Sequence, residues 1–330
     1  MSWTSRPRRT ASRMVQRLRK SLRGTPGAAI LMYHRIAEET FDPWGLAVAP
    51  NAFLSQMEWL AANRPVLSLT EFAERCRAGT LPADATAITF DDGYASTAQV
   101  ALPLLERLRI PATIFVPPDL IEGGREFWWD ELEQIILNDE GPEVKFRQET
   151  IALGRRSPKD RTWLPAEPPR TPRQKVFHLL WARLRTMPPA AQQEAMYALA
   201  GPCASPAVRE AHRPLTPAEA RSIQSRLVEF GSHALAHPSL PHLPPREKER
   251  QIFESLERCA KVTGRSPRTF AYPYGDVDEE SMIIVESAGF VGACTTRASF
   301  VGRRSSPFAL PRIQVGNWTG DKLRRELGGP

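Results

Sequence analysis

Two adjacent carboxylates, Asp91 and Asp92, close a short apolar run in AITFDDGYAS. Neighbouring carboxylates repel each other and resist desolvation, so the pair implies a cation to hold or a proton to move. Further along, His233 and His237 stand four residues apart in GSHALAHPSLPHL. Pro238 disfavours helix at the residue before it, which places the two imidazoles on one loop. Two imidazoles and a carboxylate form a three-ligand set with open positions, suited to Zn²⁺ and tolerated by other divalent transition metals. One aspartate can then ligate while the other takes a proton from water, and a cation's field relieves the repulsion between them. Taken alone, DD before glycine reads equally as a cap or turn, and H-x₃-H arises readily by chance. Both at strand ends, with the polar cluster of FAYPYGD (270–276) after a third strand, point to a metal site.

Those strand ends need strands. Apolar runs bounded by turn residues recur at 28–33, 66–69, 87–90, 112–116, 227–231, 269–272, 291–295 and 310–315. Helical spacing lies between several of them, at 96–108, at 245–262 and from 51, where Asn51 is the expected cap. Strands alternating with helices predict an α/β fold with a parallel sheet. Seven or eight strands suit a distorted (β/α) barrel, whose chemistry gathers at the C-terminal strand ends. Gly93 is placed to let the chain turn at that mouth. Residues 141–219 break the rhythm with proline and arginine and read as an insertion, helical near 174–185. The expected organisation is a basic segment over 1–25 and one barrel domain over 26–330, interrupted by that insertion.

Three motifs carry a resemblance. TFDDG (89–93), SHALAHP (232–238) and PYG (273–275) together resemble the polysaccharide deacetylase family, the NodB-like carbohydrate esterases of family 4 type. The resemblance covers roughly 28–124 and 227–318. It implies a distorted (β/α) barrel that hydrolyses N-acetyl, sometimes O-acetyl, groups on glycans. It implies Asp92, His233 and His237 as ligands of a divalent metal, Zn²⁺ first and Co²⁺, Ni²⁺ or Mn²⁺ as substitutes. It also implies Asp91 as general base and the Tyr274 backbone N–H as an oxyanion donor. The chain departs from the family pattern twice. No histidine follows His242, where many members carry Leu-x-His, and Ala271 stands where many carry an arginine two residues before the proline of the PY motif. His34, at the end of the 28–33 run, is the candidate for the missing acid, because first and last strands neighbour each other in a barrel.

Tyr94, Trp128, Trp129 and Asp130 are candidate substrate contacts, since aromatic faces stack on sugars and a carboxylate accepts from their hydroxyls. EFWWDELEQ fits equally a helix start whose aromatics pack inward. Asp276 is a candidate to tune the base, Arg312 could line the cleft, and His242 is a weaker candidate in its Pro-rich loop. Rival functions are deacylation of a non-sugar amide and a weakened carbohydrate-binding protein. An intact Asp91 argues against the latter, because binding alone needs no base.

The net charge of +7 comes largely from residues 1–24, which hold eight Arg/Lys and no acid. Outside them the charges nearly balance, which argues against a nucleic-acid partner. The segment reads either as a solubilising tail or, with Met14, Val15, Leu18 and Leu22 at helical spacing, as a peripheral membrane contact. No signal-peptide core or membrane span is evident, so a cytoplasmic setting is expected, with the inner face of the membrane as the option that the basic segment opens. The expected partner is an acetylated glycan or a lipid-linked sugar. Cys76, Cys203, Cys259 and Cys294 form no CxxC pair and read as reduced thiols.

Overall fold

The computed structural model describes residues 27–165, 167–201, 208–223 and 225–328. Residues that are apolar on both faces of a strand must be covered on both faces, and here they are. β1 (Ala29–Tyr33) is buried at every position. Short β2 (Arg35–Ile36) and β3 (Ala47–Val48) pair beside the main sheet, and β4 (Val66–Leu67) lies against the next strand. β5 (Thr86–Phe90) and β6 (Ala112–Val116) are again wholly buried. After a surface hairpin of β7 (Glu143–Phe146) and β8 (Glu149–Ala152) come β9 (Val228–Ser232), β10 (Thr269–Ala271), β11 (Gly292–Cys294) and β12 (Ile313–Gln314).

The main sheet is parallel and runs β11-β10-β9-β6-β5-β1-β12, with β4 beside β5. It curls on itself: Leu310 bonds back to Ala293 and Thr295, while Ile313 and Gln314 pair with Leu31 and Met32 of β1. The expected distorted barrel is therefore present as a curled sheet whose last segment spans between its two edges. No described helix is long and apolar enough to cross a membrane. The basic segment expected over 1–25, and Cys203, lie outside the described residues, and the other three cysteines are free thiols.

Helices Pro50–Asn63 and Pro245–Thr263 fall where the spacing predicts them. Asn51 is not the cap of the first: Ala49 takes that position and Pro50 starts the helix, its fixed φ suiting the first turn. The 141–219 stretch holds the β7–β8 hairpin and helices Pro172–Arg185 and Pro189–Ala200. Its Trp163, Phe177, Leu180 and Leu184 share one core with Phe127, Trp128 and Trp129, so it packs directly on the element beside the site. Arg173 is fully buried there and donates to the carbonyls of Ile136 and Gly141 at 2.8 and 2.5 Å. That pairing satisfies backbone groups that a buried loop would otherwise leave open.

One glycine shows how tightly the interior is filled. On β9, Gly231 lies opposite Phe115, and a Cβ there would sit 2.4 Å from the phenyl ring and 3.1 Å from the Thr269 carbonyl. Gly231→Ala is expected to cost about 1–3 kcal/mol by overpacking, read as a lower urea midpoint at unchanged slope. An unchanged midpoint would contradict this packing.

Candidate active site

Four strands deliver side chains to one mouth. β1 and β5 are in register from Ala29↔Thr86 to Tyr33↔Phe90, so His34 and Asp91 leave adjacent strands at the same level. The Asp91 amide also donates to the Tyr33 carbonyl at 2.9 Å. β9 ends at Ser232 and releases His233, whose amide bonds to the Val116 carbonyl. β10 ends at Ala271 and leads into the Pro273–Gly275 turn carrying Tyr274. His34, Asp91, Asp92, Trp129, His233, His237 and Tyr274 line one cleft of about 270 Å³.

The backbone is bent to achieve this. Among the described residues, six non-glycines have positive φ, and four of them are Asp92, Ala234, His237 and Tyr274. Left-handed conformations cost non-glycine residues energy and survive only where surrounding structure imposes them. Gly93 follows Asp92 with φ +72, so the turn after β5 takes two consecutive left-handed residues, as its glycine allows.

Asp92, His233 and His237 offer ligand atoms that all lie within 4.8 Å of one another. Asp92 Oδ1 is 3.5 Å from His233 Nε2 and 3.3 Å from His237 Nε2. The His233 Nδ1 lies 2.7 Å from the Ala271 carbonyl. Donating there fixes the tautomer and leaves an Nε2 lone pair pointing at Asp92. Asp92 Oδ1 and His237 Nδ1 are buried without a hydrogen-bond partner. Burial pushes His237 below the usual histidine range, against the pull of Asp92, and so favours the neutral ring a metal needs. Burial alone would raise Asp92, yet the two imidazoles hold its carboxyl well below its usual range. A buried carboxylate beside two imidazole Nε2 atoms, with Asp92 Oδ1 and His237 Nδ1 lacking hydrogen-bond partners, is a donor set that fits a divalent cation.

Asp91 is served differently. Arg312, wholly buried inside the curled sheet, donates from both Nη atoms to the two Asp91 oxygens at 2.6 Å each. Its Nη1 also reaches Thr89 Oγ1 at 3.1 Å and its Nε the Thr295 carbonyl at 3.0 Å. Burial pushes the Asp91 carboxyl up, but the Arg312 guanidinium outweighs it, with His233 adding to the effect, and the group titrates below its usual range. The arginine absent at Ala271 is thus supplied from the residue before β12. Arg312, read from sequence only as a cleft-lining side chain, is the partner of the candidate base. Its signal was the LPRI run, but its function depends on how the last strand registers against β1.

Some expected contacts are corrected. Asp130 does not face the cleft: it is 4% exposed, accepts from Tyr94 Oη at 2.6 Å and sits 2.9 Å from His212 Nδ1. Tyr94 is fully buried and also accepts from Trp129 Nε1 at 2.9 Å. Arg35 and Glu39 complete this inner network, so both residues hold structure rather than substrate. Trp128 packs inward, donates to Tyr274 Oη at 3.1 Å and lines a separate cavity beside helix Pro189–Ala200. Trp129 alone of that group lines the cleft, its ring 4.7 Å from that of His237. The helix Trp128–Glu133 begins with Phe127 as its cap, as the inward-packing reading of EFWWDELEQ requires. Asp276 does not touch Asp91, because it pairs with Arg185 and Ser239. His242 bonds to Ser239 and does not line the cleft. Trp44, Trp181 and Arg185 do line it and carry no sequence signature.

The chain is similar to known proteins in sequence and in fold. A curated poly-β-1,6-N-acetyl-D-glucosamine N-deacetylase of Escherichia coli K12 is 34% identical over 89 residues, 26% of this chain and 13% of that protein. The curled sheet matches the Streptococcus pyogenes deacetylase PplD at 18% identity and TM-score 0.60, covering 92% of this chain and 99% of that one. IcaB from Ammonifex degensii matches at 18% identity and TM-score 0.52, covering 92% and 98%. These two likenesses establish the fold. A model of the polysaccharide deacetylase family matches residues 78–145 and 191–293, just over half of the chain, and the chain belongs to that family.

Proposed function

We propose that the chain removes N-acetyl groups from a glycan by metal-dependent hydrolysis, releasing acetate and a free amine. Asp92, His233 and His237 would hold the cation, Zn²⁺ by their ligand chemistry. Bound there, it would polarise the acetyl carbonyl and make water more acidic. Asp91 accepts the proton of the attacking water, and Arg312 fixes its carboxylate in place for that transfer. Attack turns the carbonyl oxygen into an oxyanion, and the Tyr274 backbone N–H at the cleft rim is the chain's own donor to it. His34 returns a proton to the leaving nitrogen as the C–N bond breaks. The observation that carries this reading is one cleft holding a clamped, buried carboxylate beside a separate Asp-His-His cluster, with a histidine just past the end of the adjacent strand.

The E. coli relative's name makes an N-acetylglucosamine polymer the first substrate to try. A membrane setting and a lipid-linked substrate rest on the basic segment, outside the described residues. For His34→Ala we expect kcat to fall about 10²–10⁴-fold, with metal content kept. Near-normal turnover at intact metal content would remove His34 from the mechanism.

A further inference from the structure

We infer that helix Pro172–Arg185 builds a subsite for the uncharged sugar ring next to the acetylated one, so that the inserted segment selects chains over single sugars. The inference rests on the proposed glycan reading and deepens it. Trp181 and Arg185 lie four residues apart, hence on one face of that helix, and both line the catalytic cleft. Trp44, from the loop before β3, stacks on Trp181 with ring centres 4.7 Å apart and planes 32° apart. The Arg185 guanidinium lies over the rings of Trp181 and Tyr274, at 5.2 and 5.1 Å. Planar groups thus wall the cleft from Trp44 to the turn that carries the oxyanion donor.

The wall's charge says what it meets. Arg185 pairs with Asp276, whose other oxygen accepts from Ser239 at 2.6 Å. The pair is 28% and 22% exposed, so it reaches solvent at the rim while carrying no net charge. A bare arginine would select an anion. A neutral donor–acceptor pair beside aromatic rings matches the hydroxyls and C–H faces of an uncharged pyranose. At about 270 Å³ the cleft lies just below the usual range of ligand sites, roughly 300–1,000 Å³, so a second ring must lean on its rim. The wall is held ready: Thr171 and Gln174 form a capping box at the helix start, and Phe177, Leu180 and Leu184 anchor its inner face. Preorganisation of this kind lowers the cost of binding. Residues 146–190, which include Trp181 and Arg185, fall outside the family match.

The test compares acetate release by the metal-loaded full chain from N-acetylglucosamine and from its β-1,6-linked oligomers of two to five rings. For the native protein, kcat/KM should rise at least about tenfold from one ring to two. Trp181→Ala and Arg185→Gln should erase that step, chiefly through KM, losing about tenfold more on the dimer than on the monomer. Arg183→Ala, exposed beside the Glu149 carboxylate, should behave as the native protein. No length step in the native protein, or equal losses on one ring and two, would overturn the subsite. If the native protein releases no acetate from any of these sugars, the deacetylase reading fails separately. Titrating the same oligomers by tryptophan fluorescence then decides the subsite: binding weakened about tenfold in Arg185→Gln and Trp181→Phe supports it, and absent or unaltered binding rejects it.

Discussion

Asp91→Asn is expected to lower kcat by about 10²–10⁴-fold, the usual contribution of a positioned base, while the metal content stays that of the native protein. The amide matches the carboxylate in size and still accepts one bond from Arg312, but it cannot take a proton. The ligand set, Asp92, His233 and His237, is untouched. The linkage has a definite sign. Asp91 titrates below its ordinary value in the folded protein, so its stabilising contribution is present above the unfolded value, about pH 4, and is lost as pH falls through the lower folded value. Asp91→Asn should therefore be less stable than the native protein at neutral pH and closer to it in strong acid. Urea unfolding at a series of pH values reads this out, and a gap that widened toward acid would contradict it.

Arg312→Met should have the largest effect on stability. It leaves Asp91, 3% exposed, without the guanidinium that pairs with both its oxygens. Breaking one partner of a buried ion pair typically costs about 3–5 kcal/mol. The same loss should move the acid limb of kcat/KM upward, because burial still raises the Asp91 carboxyl and the strongest charge opposing it is gone. In the double variant Asp91→Asn/Arg312→Met the stability losses should sum to less than the two singles, since each removes the same pair. An unshifted acid limb in Arg312→Met would mean that Asp91 is not the group being titrated.

The residues most legible in the sequence were those whose function depends on position along one strand. A buried parallel strand reads as a continuous apolar run, so its end, and the polar residue that leaves it, can be located to within a residue: Phe90 then Asp91, Ser232 then His233, Tyr33 then His34. Pro238 and Gly93 likewise announce a loop and a turn through their own backbone preferences. What was not legible depends on register between distant strands or on packing. Arg312 meets Asp91 only because the last strand lies against β1, two places from β5, whose end carries Asp91. Nothing local in ALPRIQV states that. Asp130 and Tyr94 look like surface sugar contacts by type, but His212 and Arg35, distant in sequence, draw them into the interior. The inserted segment carries no motif, and its contribution of Trp181 and Arg185 follows from a helix packing on aromatic residues that sequence alone could assign to either face.

The central claim is that a cation at Asp92, His233 and His237 and a proton acceptor at Asp91 together release acetate from a glycan. The measurement that bears on it most directly is acetate release from a panel of N-acetylated oligosaccharides and acyl-amides, using native protein, chelator-stripped protein, metal-restored protein and Asp91→Asn. The account predicts release from N-acetylhexosamine oligomers only, abolished by stripping, restored by Zn²⁺ or a substitute divalent ion, and nearly absent in Asp91→Asn at full metal loading. Undiminished release after stripping, or full activity in Asp91→Asn, would contradict it.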